Sequence, residues 1–167
     1  VRFAALTHDL GKAETPADIL PRHLGHEERS VRLTEQLCAR LRVPNDCRDL
    51  ALLMARYHGN VHRVADLKAS TIVTLFEKTD ALRRPERFRQ LLDACLCDFT
   101  GRLGWENRRY DSPQFLLGAL AAVTSLNAGE IAAGCANKTK IPERIHAARV
   151  HAIKQLLNDS GEQPEQQ

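Results

Sequence analysis

Phe3-Ala4-Ala5-Leu6-Thr7-His8-Asp9-Leu10-Gly11-Lys12 is the stretch around which the rest of the chain organises. An apolar helical segment runs into an imidazole and a carboxylate side by side, and a glycine stops it. A carboxylate buried beside apolar residues is costly unless it is paired or bound to a cation. A divalent metal is a cation that also accepts a neighbouring imidazole. Consecutive helix residues point about 100° apart. His8 and Asp9 can therefore reach one ion only over the ridge between them, and other helices must close the site.

Read outward from that point, the apolar spacing is helical throughout. Pro16 and Pro21 frame a loop. A long helix is predicted from about Gly25 to Arg42, with Val31, Leu33, Leu37, Cys38 and Leu41 near one face, and Pro44 ends it. Asn45 is the expected cap of the next helix, which carries Leu50, Leu53, Met54 and Tyr57 towards His58. Gly59-Asn60 should break that helix, which argues against His58 and His62 acting as an aligned pair. Ser70 is the expected cap of a helix holding Ile72, Val73, Leu75, Phe76 and Leu82. Pro85 starts another, which stops near Gly101 or Gly104. Residues 104–112 form a polar loop with Trp105 and Tyr110, and Pro113 opens an apolar helix to Leu126. A short helix follows from Ala128, and the last runs from Pro142 to about Asn158. Residues 160–167, rich in Gln and Glu, read as a disordered tail. No stretch alternates with period two, and no internal repeat is visible.

Composition narrows the class. The chain has 167 residues, of which 43% are hydrophobic, enough for one core and a small appended unit. No apolar run is long enough for a membrane span, and no signal peptide opens the chain. Val1 already lies inside the helical pattern, so the expectation is a piece of a longer cytoplasmic protein. Net charge is +3, but the positive charge is 18 Arg against 6 Lys. Arginine's planar fork suits phosphate, and a GC-rich genome gives the same bias. Five scattered cysteines fit free thiols in a reducing compartment. Cys95-x-Cys97 lacks the second pair of a zinc site.

Candidates to join His8 and Asp9 are His23, His26, His58, His62 and Asp80. Asp80 stands next to Phe76 and Leu82, where a lone carboxylate is unexpected; an ion pair with Arg83 or Arg84 is the competing reading. The run THDLGK, then GHE, then a helix-terminal YH, then a helical aspartate, resembles the HD phosphohydrolase superfamily. The order of longer segments is similar to the C-terminal HD domain of bacterial CCA-adding enzymes (tRNA nucleotidyltransferases). Those segments are RFAALTHDLGK, TPADILPRHLGHEERSVRL, RLRVPNDCRDLALL, TIVTLFEKTDALRRPERF and CDFTGRLGWENRRY.

The resemblance implies an all-α, HD-domain-like bundle over residues 1–100, truncated at its N-terminus, with a helical extension over 101–159. It implies a metal-dependent phosphohydrolase acting on 2′,3′-cyclic nucleotides, 2′-nucleotides and small phosphomonoesters. The metal ligands would be His8, Asp9 and Asp80, and the metal nickel. Spacing alone leaves cobalt, manganese, iron and zinc equally open. The resemblance further implies a first metal histidine upstream of the chain, and a parent protein whose separate magnesium-dependent domain adds CCA to tRNA.

In chemical terms, Asp9 would orient water. His26 or His58 would bind phosphate or protonate a leaving alkoxide, and Lys12 would meet a phosphate oxygen. Arg83, Arg84 and Arg87 at one helix junction, and Arg102, Arg108 and Arg109 around Trp105 and Tyr110, suit an RNA backbone and unstacked bases. The rival reading is a non-catalytic tRNA-binding or homodimerisation module with a vestigial metal site.

Overall fold

Amphipathic helices must bury their apolar stripes against one another. In the computed structural model, which describes residues 1–161, they do so around a central helix. The elements are α1 (Arg2–Thr7), a 3₁₀ turn (Leu10–Glu14), α2 (His26–Leu41), α3 (Asn45–His62) and α4 (Ala69–Lys78). Then come α5 (Pro85–Thr100), α6 (Ser112–Thr124), α7 (Ala128–Ala133) and α8 (Ile141–Gly161). No strand occurs among the described residues. α3 packs against α1, α2 and α5, while α8 closes the bundle over α4 and α6.

One apolar core runs through these helices. Met54, Ile72, Phe76, Phe88, Leu91, Leu116 and Ile153 are fully buried in it. Phe76 and Phe88 meet edge to face at 5.4 Å. Each such side chain stabilises the fold by about 1.5–3 kcal/mol relative to exposure. No described helix is long and apolar enough to cross a membrane. All five cysteines are free thiols.

Three local expectations change. α3 does not break at Gly59-Asn60 but runs on to His62. A helical glycine costs about 1 kcal/mol relative to alanine, and the complete burial of Val61 just beyond it outweighs that. Neither Asn45 nor Ser70 caps its helix: the capping positions are Pro44 and Lys68, without a side-chain cap bond. The last helix continues past Asn158 to Gly161. Most of the predicted tail, residues 162–167, lies outside the described residues.

Gly11 fixes how the first stretch meets α2. A Cβ there would stand 2.3 Å from the His26 carbonyl oxygen and 2.4 Å from the Ser30 nitrogen, so only glycine fits. Its own N–H donates to Ser30 Oγ at 2.8 Å. Arg29 then ties down the loop between them, donating from Nε to the Gly11 carbonyl and from its two terminal nitrogens to the Leu24 carbonyl and Thr15 Oγ1. Glycine and arginine together hold His26 over the His8-Asp9 turn.

Candidate metal centre

α1 ends at Thr7, so His8 and Asp9 are not consecutive helical residues. His8 closes the helix at φ −59°, and Asp9 leaves it at φ −106°, ψ 11°. That bridge-region backbone is common at active sites. His8 and Asp9 thus straddle the helix end, and their side chains come within 3.2 Å of each other.

His8, His26 and His58 converge there from α1, α2 and α3, and all three are oriented in the same way. His8 Nδ1 donates to the Ala5 carbonyl at 2.8 Å, His26 Nδ1 to the His23 carbonyl at 2.9 Å, and His58 Nδ1 to the Met54 carbonyl at 3.0 Å. A carbonyl can only accept, so each Nδ1 carries the proton and each neutral ring presents its lone pair at Nε2. This backbone anchoring is how proteins orient metal-ligating imidazoles.

The lone pairs crowd one carboxylate oxygen. Asp9 Oδ1 is 3.3 Å from His26 Nε2 and 3.6 Å from His58 Nε2. His26 Nε2 and His58 Nε2 are themselves 3.3 Å apart. His8 Nε2 is 3.2 Å from Asp9 Oδ2, too poorly aligned to bond. His8 Nε2 and Asp9 Oδ1 are both buried without a hydrogen-bond partner. Acceptor atoms of His8, Asp9 and His58 lie within 4.8 Å of one another. Buried acceptors facing acceptors repel unless a cation or proton stands between them, and mixed imidazole and carboxylate donors suit a divalent transition metal. The residues present therefore fit such an ion.

The electrostatics separate the two buried histidines. Burial, reinforced by the neighbouring His8, pushes the His58 imidazole down to about 4, so it is neutral at pH 7 and ready to ligate. Burial also pulls His8 down, but Asp9, the Ala5 carbonyl and Asp98 more than reverse it, and the net shift is upward. Burial raises Asp9, yet His8 and the ion pair to Lys12 outweigh that and hold the carboxyl well below its usual range.

Asp80 is not among the converging atoms. α4 ends at Lys78, and Asp80 adopts φ +56° in the turn that follows. Its carboxylate accepts from Arg83 Nε at 2.7 Å and Nη2 at 3.0 Å, with Arg84 at 3.5 Å. The left-handed turn carries the side chain off the apolar face, and two guanidiniums satisfy it. The ligand role expected for Asp80 is corrected accordingly.

The second carboxylate near the cluster is Asp98 of α5, which the sequence reading did not select. Its Oδ1 is 3.6 Å from His8 Nε2, and its Oδ2 accepts from His62 Nε2 at 2.8 Å and Arg102 at 3.2 Å. Burial pushes Asp98 up, but the His62 bond and nearby positive charge hold it at about 2. Because α3 continues past Gly59, His62 reaches this site. Its Nδ1 lies 2.8 Å from the Tyr110 hydroxyl. Tyr110 stacks on Phe99 at 4.3 Å, and Arg102 and Arg108 sit over the Trp105 ring. The signal for Asp98 was its spacing: Phe88, Leu91, Cys95 and Asp98 fall on one stripe of α5 whose first three members are buried.

Other predicted residues lie elsewhere or are occupied. Arg87 pairs with Asp46 and Asp49 on α3, and Arg109 with Asp111. His23, half-buried, is 2.7 Å from Thr15 Oγ1 through Nδ1. His146 pairs with Glu77 between α8 and α4.

An all-α bundle whose helices aim histidine lone pairs and an aspartate at one point is a divalent-metal fold of hydrolase type. The chain belongs to the HD domain family, whose model matches residues 1–98. It is 92% identical over its whole length to the Multifunctional CCA protein of Dechloromonas aromatica, covering 40% of that protein. It is 59% identical over 158 residues, 94% of the chain, to the Multifunctional CCA protein of Burkholderia cenocepacia strain HI2424, covering 38% of it. The chain thus spans about two fifths of the relatives it matches. No solved structure matches it.

Proposed function

We propose that the chain is a metal-dependent phosphohydrolase that opens 2′,3′-cyclic phosphodiesters and also cleaves 2′-nucleotides and phosphomonoesters. The observation that carries this is the pair of buried, unpartnered acceptors His8 Nε2 and Asp9 Oδ1 between inward-facing histidines. His8, Asp9 and His58 would hold the ion, with His26 and Asp98 bordering it. A divalent cation there supplies a water acidic enough to ionise near pH 7, and positive charge for a phosphoryl oxygen. Asp9 orients the water. Lys12, held beside Asp9, meets a phosphate oxygen. His26, whose Nε2 lone pair lies 3.3 Å from Asp9, takes the proton that the attacking water releases and passes it to the leaving alkoxide. Nickel is the proposed metal.

The test is hydrolysis of 2′,3′-cyclic AMP with added Ni²⁺. Asp9→Ala should lose at least about a hundredfold in rate and its bound metal while keeping the helical circular dichroism of the parent. Full activity in Asp9→Ala would overturn the mechanism.

The likeness to Multifunctional CCA proteins also supports a parent that adds CCA to tRNA; that this parent is cytoplasmic and uses a separate magnesium-dependent domain is what the family resemblance implies. We place tRNA contact on residues 101–159, beside an HD core at 1–100, with Arg102, Arg108 and Arg109 as the contact residues. Arg83, Arg84 and Arg87 are a secondary patch, since the arginines that sit over an aromatic ring are Arg102 and Arg108. The arginine-flanked Trp105 favours this reading even if the metal site proved inactive, and homodimerisation belongs to the same alternative. Trp105 is the chain's one tryptophan. Titration with tRNA should therefore change its fluorescence in wild type, and Arg102→Ala/Arg108→Ala should weaken binding and reduce its salt dependence.

A further inference from the structure

A cleft of about 500 Å³ opens beside the histidine cluster. That is the size of a small-molecule site and more than one reacting phosphoryl group fills. His26 and His58 line it together with four cations, Lys12, Arg22, Arg63 and Arg102. The single carboxylate on its wall is Glu27, whose Oε2 sits 3.3 Å from His26 Nδ1.

The four cations are not equivalent. Lys12 is paired with Asp9, and Arg102 with Asp98. Arg22 and Arg63 have no carboxylate within ion-pair distance among the described residues. Arg63 spends Nε on the Gly59 carbonyl at 3.2 Å, which anchors the guanidinium at the cleft wall beside Gly59. The reacting phosphate already has Lys12 and the metal position. Glu27, whose Oε1 flanks Gly59 as Arg63 Nη2 does, offsets part of this charge, but four cations against that one wall carboxylate leave the cleft net positive, and the two guanidiniums outside any ion pair suit a second anion.

We propose that Arg22 and Arg63 form a subsite for a non-reacting phosphate of the substrate: the 5′-phosphate of the nucleoside whose 2′ or 3′ phosphate is cleaved. In a polynucleotide that group is the diester to the preceding residue, so the subsite selects chain ends and 5′-phosphorylated nucleotides over lone monoesters. The inference rests on the phosphohydrolase reading for the position of the reacting group.

Calorimetric titration of the metal-free chain in EDTA, with adenosine 3′,5′-bisphosphate and adenosine 3′-monophosphate, tests it. Wild type should bind the bisphosphate about tenfold more tightly, the gain of one charge-assisted contact. Arg22→Gln/Arg63→Gln should shrink that ratio to about twofold while hydrolysing 2′,3′-cyclic AMP as wild type does. Equal affinities in wild type, no measurable binding of the bisphosphate, or a ratio that survives in the double variant overturns the subsite. Loss of cyclic AMP hydrolysis in wild type instead overturns the phosphohydrolase reading and leaves the binding ratio as an independent result.

Discussion

Asp80 and Asp98 are both aspartates near the C-terminal ends of helices, both beside arginines, and they end in opposite places. Asp80 follows α4 in a left-handed turn and is claimed by Arg83 and Arg84. Asp98 stays within α5, on the stripe that buries Phe88, Leu91 and Cys95, and faces His8 and His62. α5 runs two residues past Asp98, to Thr100, and so keeps that carboxylate facing the histidine cluster. α4 stops at Lys78, two residues before Asp80, and that side chain becomes a surface ion pair.

The largest expected effect comes from breaking the buried member. Asp98→Ala removes the acceptor of His62 and the negative charge beside His8. Outer partners of metal ligands commonly govern 10–100-fold in affinity, so Ni²⁺ binding followed by calorimetry should weaken by about that factor. Unchanged binding would mean that Asp98 serves the α5 stripe and not the centre.

This contrast also marks what could be read in the chain. The helical bundle follows from apolar spacing, because the i, i+3, i+4 stripes on α2 to α6 leave no other way to bury themselves. His8, Asp9, His26 and His58 carried signals of their own: an imidazole-carboxylate pair at a glycine, and histidines at helix ends. Asp80 was misread because nothing in Thr79-Asp80-Ala81 announces a positive φ for a non-glycine residue. In the Asp98-His62-Tyr110 chain only His62 stood among the candidates, and the link to Tyr110 and Asp98 was hidden for complementary reasons. Gly59 promised a helix break that tertiary packing overrode, so His62 was set aside. Tyr110 touches His62 across 48 residues of sequence, a pairing no local period encodes.

A smaller effect is expected one step further from the cluster. Tyr110→Phe keeps the ring stacked on Phe99 and deletes only the hydroxyl at His62 Nδ1. A neutral hydrogen bond contributes about 1 kcal/mol net, and His62 retains its bond to Asp98. Ni²⁺ affinity should fall by about fivefold or less, clearly less than in Asp98→Ala. Equal losses in the two variants would indicate that the hydroxyl, through His62, fixes Asp98 as firmly as the carboxylate fixes His8.

Asp80→Asn should produce the smallest change of all. The substitution removes charge from a solvent-facing pair in which Arg83 and Arg84 hold the carboxyl below its usual value. Exposed pairs contribute little because water and salt screen them, and asparagine tolerates the left-handed conformation at φ +56° as readily as aspartate does. Its amide oxygen can still accept one hydrogen bond from Arg83. Metal content by elemental analysis, cyclic phosphodiester hydrolysis and melting temperature should therefore all match wild type within error. A fall in metal content with the fold intact would require the carboxylate to leave its arginines for the cluster, and would restore Asp80 as a ligand in place of Asp98.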